Sequence, residues 1–195
     1  MATYQAIAAT GQAILGLLAD ACPRPEFASA RFDLYQVKDF QSPMEEGVSL
    51  FLYQIAVNGS RRALPPTVRP DGRTYRPPIP LDFRYLLTAW SRTAARQQRL
   101  LGWAIRTLHD YPVLHESLLN HYGPEEEVFG PGETVELIFD TISLQDFSYL
   151  WSETKVAPPV SVVYLTRMIM LESGTEMFEA APVQTREMDY GKLNV

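Results

Sequence analysis

The sequence predicts an α/β (α+β) fold: a single domain in which one mixed sheet is packed by an N-terminal helix and a central arginine-striped helix. Three observations predict it. Residues 3–19 and 92–110 repeat apolar side chains at helical spacing. Residues 48–57, 81–90 and 160–171 are short runs rich in β-branched and aromatic residues. The two patterns mix along 195 residues, a length that suits one core.

The elements follow in order. In residues 3–19, Tyr4, Ile7, Ala8, Gly11, Ile14, Leu15 and Leu18 share one helical face, and Thr3 is placed to cap it. Pro23 and Pro25 stop it, because proline cannot continue the hydrogen-bond ladder. Phe32 to Val37 alternates weakly and reads as a strand. Val48 to Val57 is apolar on both faces and reads as a central strand. Asn58-Gly59 then predicts a tight turn through positive φ.

Residues 60–80 form an arginine- and proline-rich loop with an Asp71-Gly72 turn inside it; six prolines there favour extended backbone. Leu81 to Trp90 alternates, with Leu81, Phe83, Tyr85, Leu87 and Ala89 on the apolar side. A helix over Arg92 to Asp110 ends before Pro112. Residues 113–132 read as a loop or short helix. Thr134 to Phe139 is a strand, and Ser143 to Asp146 resembles a capping box opening a helix that turns Phe147, Leu150 and Trp151 inward. Val160 to Leu171 is a long strand. The pattern fades after Gly174, so the domain is placed at 1–174 and an extended tail at 175–195.

Composition narrows the function classes. The single cysteine, Cys22, excludes a disulfide framework within the chain and any multi-cysteine zinc site. The first ten residues lack a signal-peptide pattern, and no apolar run reaches a membrane span. The expected location is the cytoplasm. The net charge of −6 conceals a split. Residues 61–106 hold ten arginines against Asp71 and Asp82, a local +8, which leaves −14 on the rest. A surface polarised in this way meets either nucleic acid or an acidic protein.

Reaction chemistry finds little support. His109, His115 and His121 are six apart and do not share a helical face. Gly130-Pro131-Gly132 lacks the lysine and hydroxyl of a phosphate loop, and no serine sits in a nucleophile elbow. Neither a cofactor nor a metal is expected. The arginine helix stands apart. At 100° per residue, Arg92, Arg96, Arg99, Trp103 and Arg106 fall within about 80° of one another. Ala94, Leu101, Ala104, Ile105 and Leu108 centre on the opposite face, expected to pack on the sheet. The stripe reads as a solvated basic face, as a protein interface, or as a nucleic-acid surface.

Taken in order, Asn58 with the arginine loop, then PPIPLDFRYLLTAW, LLGWAIRTLHDYPVL, VELIFDTISLQDFSYLW and PPVSVVYLTRMIML resemble the cap, or tail-terminator, proteins of extracellular contractile injection systems. These are phage-tail-like particles of the antifeeding-prophage type, and the likeness covers roughly residues 3–172, the N-terminal domain of longer members. It implies a phage tail-terminator-like fold. It also implies a structural protein, not an enzyme, forming a six-fold ring that stops tube and sheath growth at the end distal to the baseplate. The expected interface is Arg61, Arg62, Arg69, Arg73 and Arg76 in the loop, with Arg92, Arg96, Arg99, Trp103 and Arg106 on the helix. These would meet acidic surface on tube, sheath or a neighbouring copy, where Glu125, Glu126 and Glu127 are candidates. The alternative is a nucleic-acid-binding adaptor that uses the basic 61–106 segment.

Overall fold

Strand β5 (Ile79–Trp90) is the spine of the molecule. In the computed structural model, which describes residues 2–61, 63–123, 127–152 and 159–177, it pairs antiparallel with a long strand on either side. These are β2 (Gly47–Val57) and β8 (Ser161–Leu171). Beyond β2 lies β1 (Arg31–Leu34), which runs parallel to it. Beyond β8 come β7 (Thr134–Asp140) and then β6 (Val113–His115). The six-stranded order is β1-β2-β5-β8-β7-β6. A two-stranded ribbon of β3 (Thr67–Val68) and β4 (Thr74–Tyr75) stands apart.

Alternation along β5 divides the core as its sequence predicts. Leu81, Phe83, Tyr85, Leu87 and Ala89 are buried in the main core. The helices over this face are α1 (Ala6–Ala21), α2 (Ala94–Asp110) and α3 (Glu116–His121). Leu86, on the other face, joins Phe40, Val163 and Trp151 in a smaller core. That core lies beneath α4 (Leu144–Ser152) and a 3-10 turn at Val37–Gln41. Each fully buried Leu or Phe contributes about 1.5–3 kcal/mol relative to exposure, so both faces stabilise the sheet.

Local chemistry sets the element ends. Ser143 accepts from the Asp146 N–H at 3.0 Å and its hydroxyl donates to the Asp146 carboxylate at 2.7 Å, which opens α4. Gly72, at φ 78°, turns the β3–β4 ribbon as the Asp71-Gly72 pair predicts.

Several expectations are corrected. α1 starts at Ala6 after Gln5; the Thr3 hydroxyl donates to the Gln5 side chain at 2.7 Å instead of capping main-chain N–H groups. β1 ends at Leu34, because the chain turns there into the 3-10 segment whose Phe40 fills the second core. β2 is not central, since β5 and β8 hold the middle. Asn58-Gly59 does not use positive φ. Asn58 instead accepts from the Ser60 N–H at 2.9 Å while its own amide is tied to Asp82, so the side chain makes the turn. Residues 113–132 contain both β6 and α3. The expected tail boundary is not among these corrections: Thr175 to Met177, where that tail begins, run alongside β4, through Arg76 N–H to Thr175 O at 3.0 Å and Met177 N–H to Thr74 O at 2.7 Å. The rest of the expected tail, 178–195, lies outside the described residues.

Candidate functional site

The basic segment folds into two charged clusters. The first surrounds the ribbon. Arg69 donates to Glu172 at 2.5 Å and to Ser173 O at 3.3 Å, and its guanidinium lies 3.9 Å from the centroid of the Tyr75 ring. Arg73 lies 3.8 Å from Asp71 and 3.6 Å from Glu176. Arg61 and Arg76 are exposed and make no ion pair among the described residues. Arg62 lies outside the described residues.

The second cluster sits where the start of α2 faces the segment before β2. Arg92 pairs with Glu45 at 2.6 Å, and Arg99 with Glu26 at 3.4 Å. Arg96 donates to Glu46 and to the Glu26 carbonyl, with its guanidinium 5.2 Å from the Phe27 ring centroid. The Ser29 hydroxyl also donates to Glu46. These hydrogen bonds, the Arg96 one foremost, hold the Glu46 carboxyl below the usual glutamate range. Ser29, Arg31, Glu45, Glu46, Ser91, Arg92 and Arg96 line an open cavity of about 560 Å³.

The stripe is therefore an intramolecular network as well as a surface. Arg92 precedes the helix rather than riding on it. Arg106 pairs with Asp110 one turn on. Trp103 is half-buried rather than presented, packing against Phe27 and Phe32 at 6.4 and 6.1 Å between centroids. Leu101, Ala104 and Leu108 face the core as expected, while Ala94 is exposed. Glu127 is exposed at φ 59°; Glu125 and Glu126 lie outside the described residues. Sequence reasoning missed Glu26, Glu45 and Glu46. They stand 47–73 positions from their arginines, and nothing at that separation marks a pair.

Among the described residues no group of three or more His, Cys, Asp or Glu is placed to hold a metal, and no helix is long and apolar enough to cross a membrane. Cys22 is buried, and burial raises its thiol pKa, the opposite of what a nucleophile needs. What the site can do is recognise charge and shape. The class of domain is mixed α/β: a six-stranded sheet flanked by helices, with charged clusters on its surface. The chain belongs to the Pvc16 N-terminal domain family, matched over residues 9–185.

Two solved structures share the fold. One is the PVC sheath/tube terminator of an extracellular contractile injection system in its extended state: TM-score 0.64, 15% identity, covering 96% of this chain and 64% of that one. The other is the anti-feeding prophage cap, a tube-terminating cap: TM-score 0.56, 17% identity, covering 92% and 60%. The chain thus spans less than two thirds of either. No curated protein matches it.

Proposed function

We propose that this chain caps a contractile injection particle, closing the end distal to the baseplate and terminating growth of tube and sheath as a ring. Its membership of the Pvc16 N-terminal domain family over most of its length carries this reading. The fold shared with two terminators supports it. The role is structural, and the particle is assembled in the cytoplasm from tube, sheath and cap subunits. Ring symmetry is six-fold, as the resemblance implies. Residues 1–174 are the capping domain, with the segment from 175 onward as its tail. Arg61 and Arg76, exposed loop arginines that make no ion pair among the described residues, are placed to meet a partner, and Arg62 is next to Arg61 in the sequence. The arginines around α2 are largely neutralised by Glu26, Glu45 and Glu46, which removes much of the basic surface that a nucleic-acid adaptor needs.

The test is a pull-down of the tagged chain from its native cell lysate, imaged by negative-stain electron microscopy. Tubular particles bearing the tag at one end are expected. Recovery without particles, with nucleic acid co-purifying, overturns the reading.

A further inference from the structure

Both edges of the sheet are notched. β1 covers only Gly47–Leu50 of β2, so no strand among the described residues pairs with the outer side of residues 51–57. β6 covers only Thr134–Glu136 of β7. Register places these features at matching heights. Glu136 stands opposite Arg167 on β8, close to where Ile169 pairs Leu81 and Leu81 pairs Val57. β6 therefore stands, on the far edge, level with the open half of β2. β1 stands level with the other end.

The open half of β2 is apolar and has main-chain groups to offer. Ile55 and Val57 are 44% and 59% exposed. Arg31 N–H donates to Glu46 O and Tyr35 N–H to Leu50 O, so even-numbered residues at the start of β2 point outward. The irregularity between Leu52 and Gln54 reverses that parity. Asn58 N–H then points inward, to Pro80 O at 2.8 Å, which leaves Ile55 and Val57 pointing out. On β6, Pro112 O and Glu116 N–H point inward, bonding Leu137 N–H and Glu133 O. Val113 and His115, both exposed, therefore point outward.

We propose that copies of this chain join edge to edge, β6 of one adding in parallel to residues 51–57 of β2 in the next. This deepens the ring reading above by naming the surface and its occupant, a second copy. Sequence direction allows it: β2 and β8 run together, β7 opposes β8, and β6 opposes β7, so β6 runs with β2. A long apolar edge left open is a hazard, and main-chain pairing covers it. Charge agrees. Arg61 follows Val57 at the upper end of one edge, and Glu116 follows His115 at the upper end of the other; neither makes an ion pair among the described residues. Three paired residues in parallel hold copies weakly, so side-chain packing completes the joint.

Ala56 and Val113 stand on the same sheet face in this arrangement, so the full chain carrying Ala56→Cys with Val113→Cys is oxidised mildly in the native cell. A ladder of linked copies is expected from the double variant and from neither single one. Adding Val57→Pro removes an outward donor and abolishes the ladder while thermal melting is retained. Should that proline disturb folding, Glu116→Arg in its place weakens the ladder and Arg61→Glu added to it restores the ladder. No ladder, or one indifferent to these changes, overturns the proposal. Tagged particles capped without a ladder refute edge pairing and leave the cap reading intact. A ladder without particles does the reverse.

Discussion

Asn58 and Asp82 are joined by two hydrogen bonds: the Asn58 amide donates to both carboxylate oxygens, each at 2.9 Å. The same carboxylate accepts from Met168 N–H at 3.1 Å, where β8 passes through positive φ (64°) beside the β5–β8 register shift. One aspartate thus holds the β2 turn and the β8 irregularity together. Hydrogen bonds to a charged group contribute about 1.5–3 kcal/mol each, and Asn58 is buried. Asp82→Ala is expected to destabilise by about 3 kcal/mol, read as a fall in urea midpoint. A change within 0.5 kcal/mol would deny the linking role.

The Arg96–Glu46 pair should shape the acid limb of stability. Glu46 has its pKa lowered in the fold. A depressed carboxyl contributes stability above its unfolded value, about 4.3, which is lost as pH falls through the folded value. Glu46→Gln is expected to lower the melting temperature at pH 7 and to flatten its decline between about pH 5 and 3. Parallel melting curves for both proteins across that range would contradict it.

Two tyrosines set the alkaline limb. The Tyr85 and Tyr164 hydroxyls are buried without a hydrogen-bond partner among the described residues. Burial raises both pKa values, that of Tyr164 to about 12. A raised phenol favours the fold below the ordinary value, about 10, and stability is lost as pH climbs from there. Tyr85→Phe removes an unsatisfied group and keeps the ring. It is expected to be neutral or stabilising by up to about 2 kcal/mol at pH 7, with a shallower loss above about pH 10. A clear destabilisation in denaturant titration would show that the hydroxyl has a needed partner.

The sequence discloses what is local and hides what is distant. β5 is legible because its two-residue period places Leu81, Phe83 and Tyr85 on one face without knowledge of the neighbours. The Ser143–Asp146 cap is three residues long and equally plain. The order of strands is not written locally, so β2 reads as central although β5 and β8 occupy the middle. The arginine stripe was visible, but its partners were not. Glu46 meets Arg96 only because the loop before β2 folds back over α2, and a helical wheel drawn for α2 alone leaves that arginine free. Trp103 is drawn inward by Phe27 and Phe32 for the same reason.

Arg69 couples the ribbon to the segment after β8. It combines an ion pair to Glu172 with a guanidinium stacked on Tyr75. The pair is about a third exposed on the arginine side, which limits it to about 0.2–1 kcal/mol, and the stacking adds about 0.5–1 kcal/mol. Arg69→Ala is expected to leave global melting nearly unchanged while loosening residues 172–177 locally. Hydrogen exchange at Met177 N–H, bonded to Thr74 O, reads this directly. Unchanged protection there would place the coupling elsewhere.

Gly16 faces Tyr122 across the contact of α1 with α3, and a Cβ there would overlap the tyrosine ring. The ring cannot simply swing away, because its hydroxyl donates to Asp20 one turn further along α1. Two effects oppose each other in Gly16→Ala. Alanine improves helix propensity by about 1 kcal/mol. Overpacking against a held ring costs about 1–3 kcal/mol. The clash should prevail, giving a net loss of about 1 kcal/mol. Tyr122→Ala in the same background removes the obstacle, so the Gly16 substitution should then become stabilising. A double-mutant cycle in urea measures this, and additivity within 0.3 kcal/mol would mean the two residues do not touch in solution.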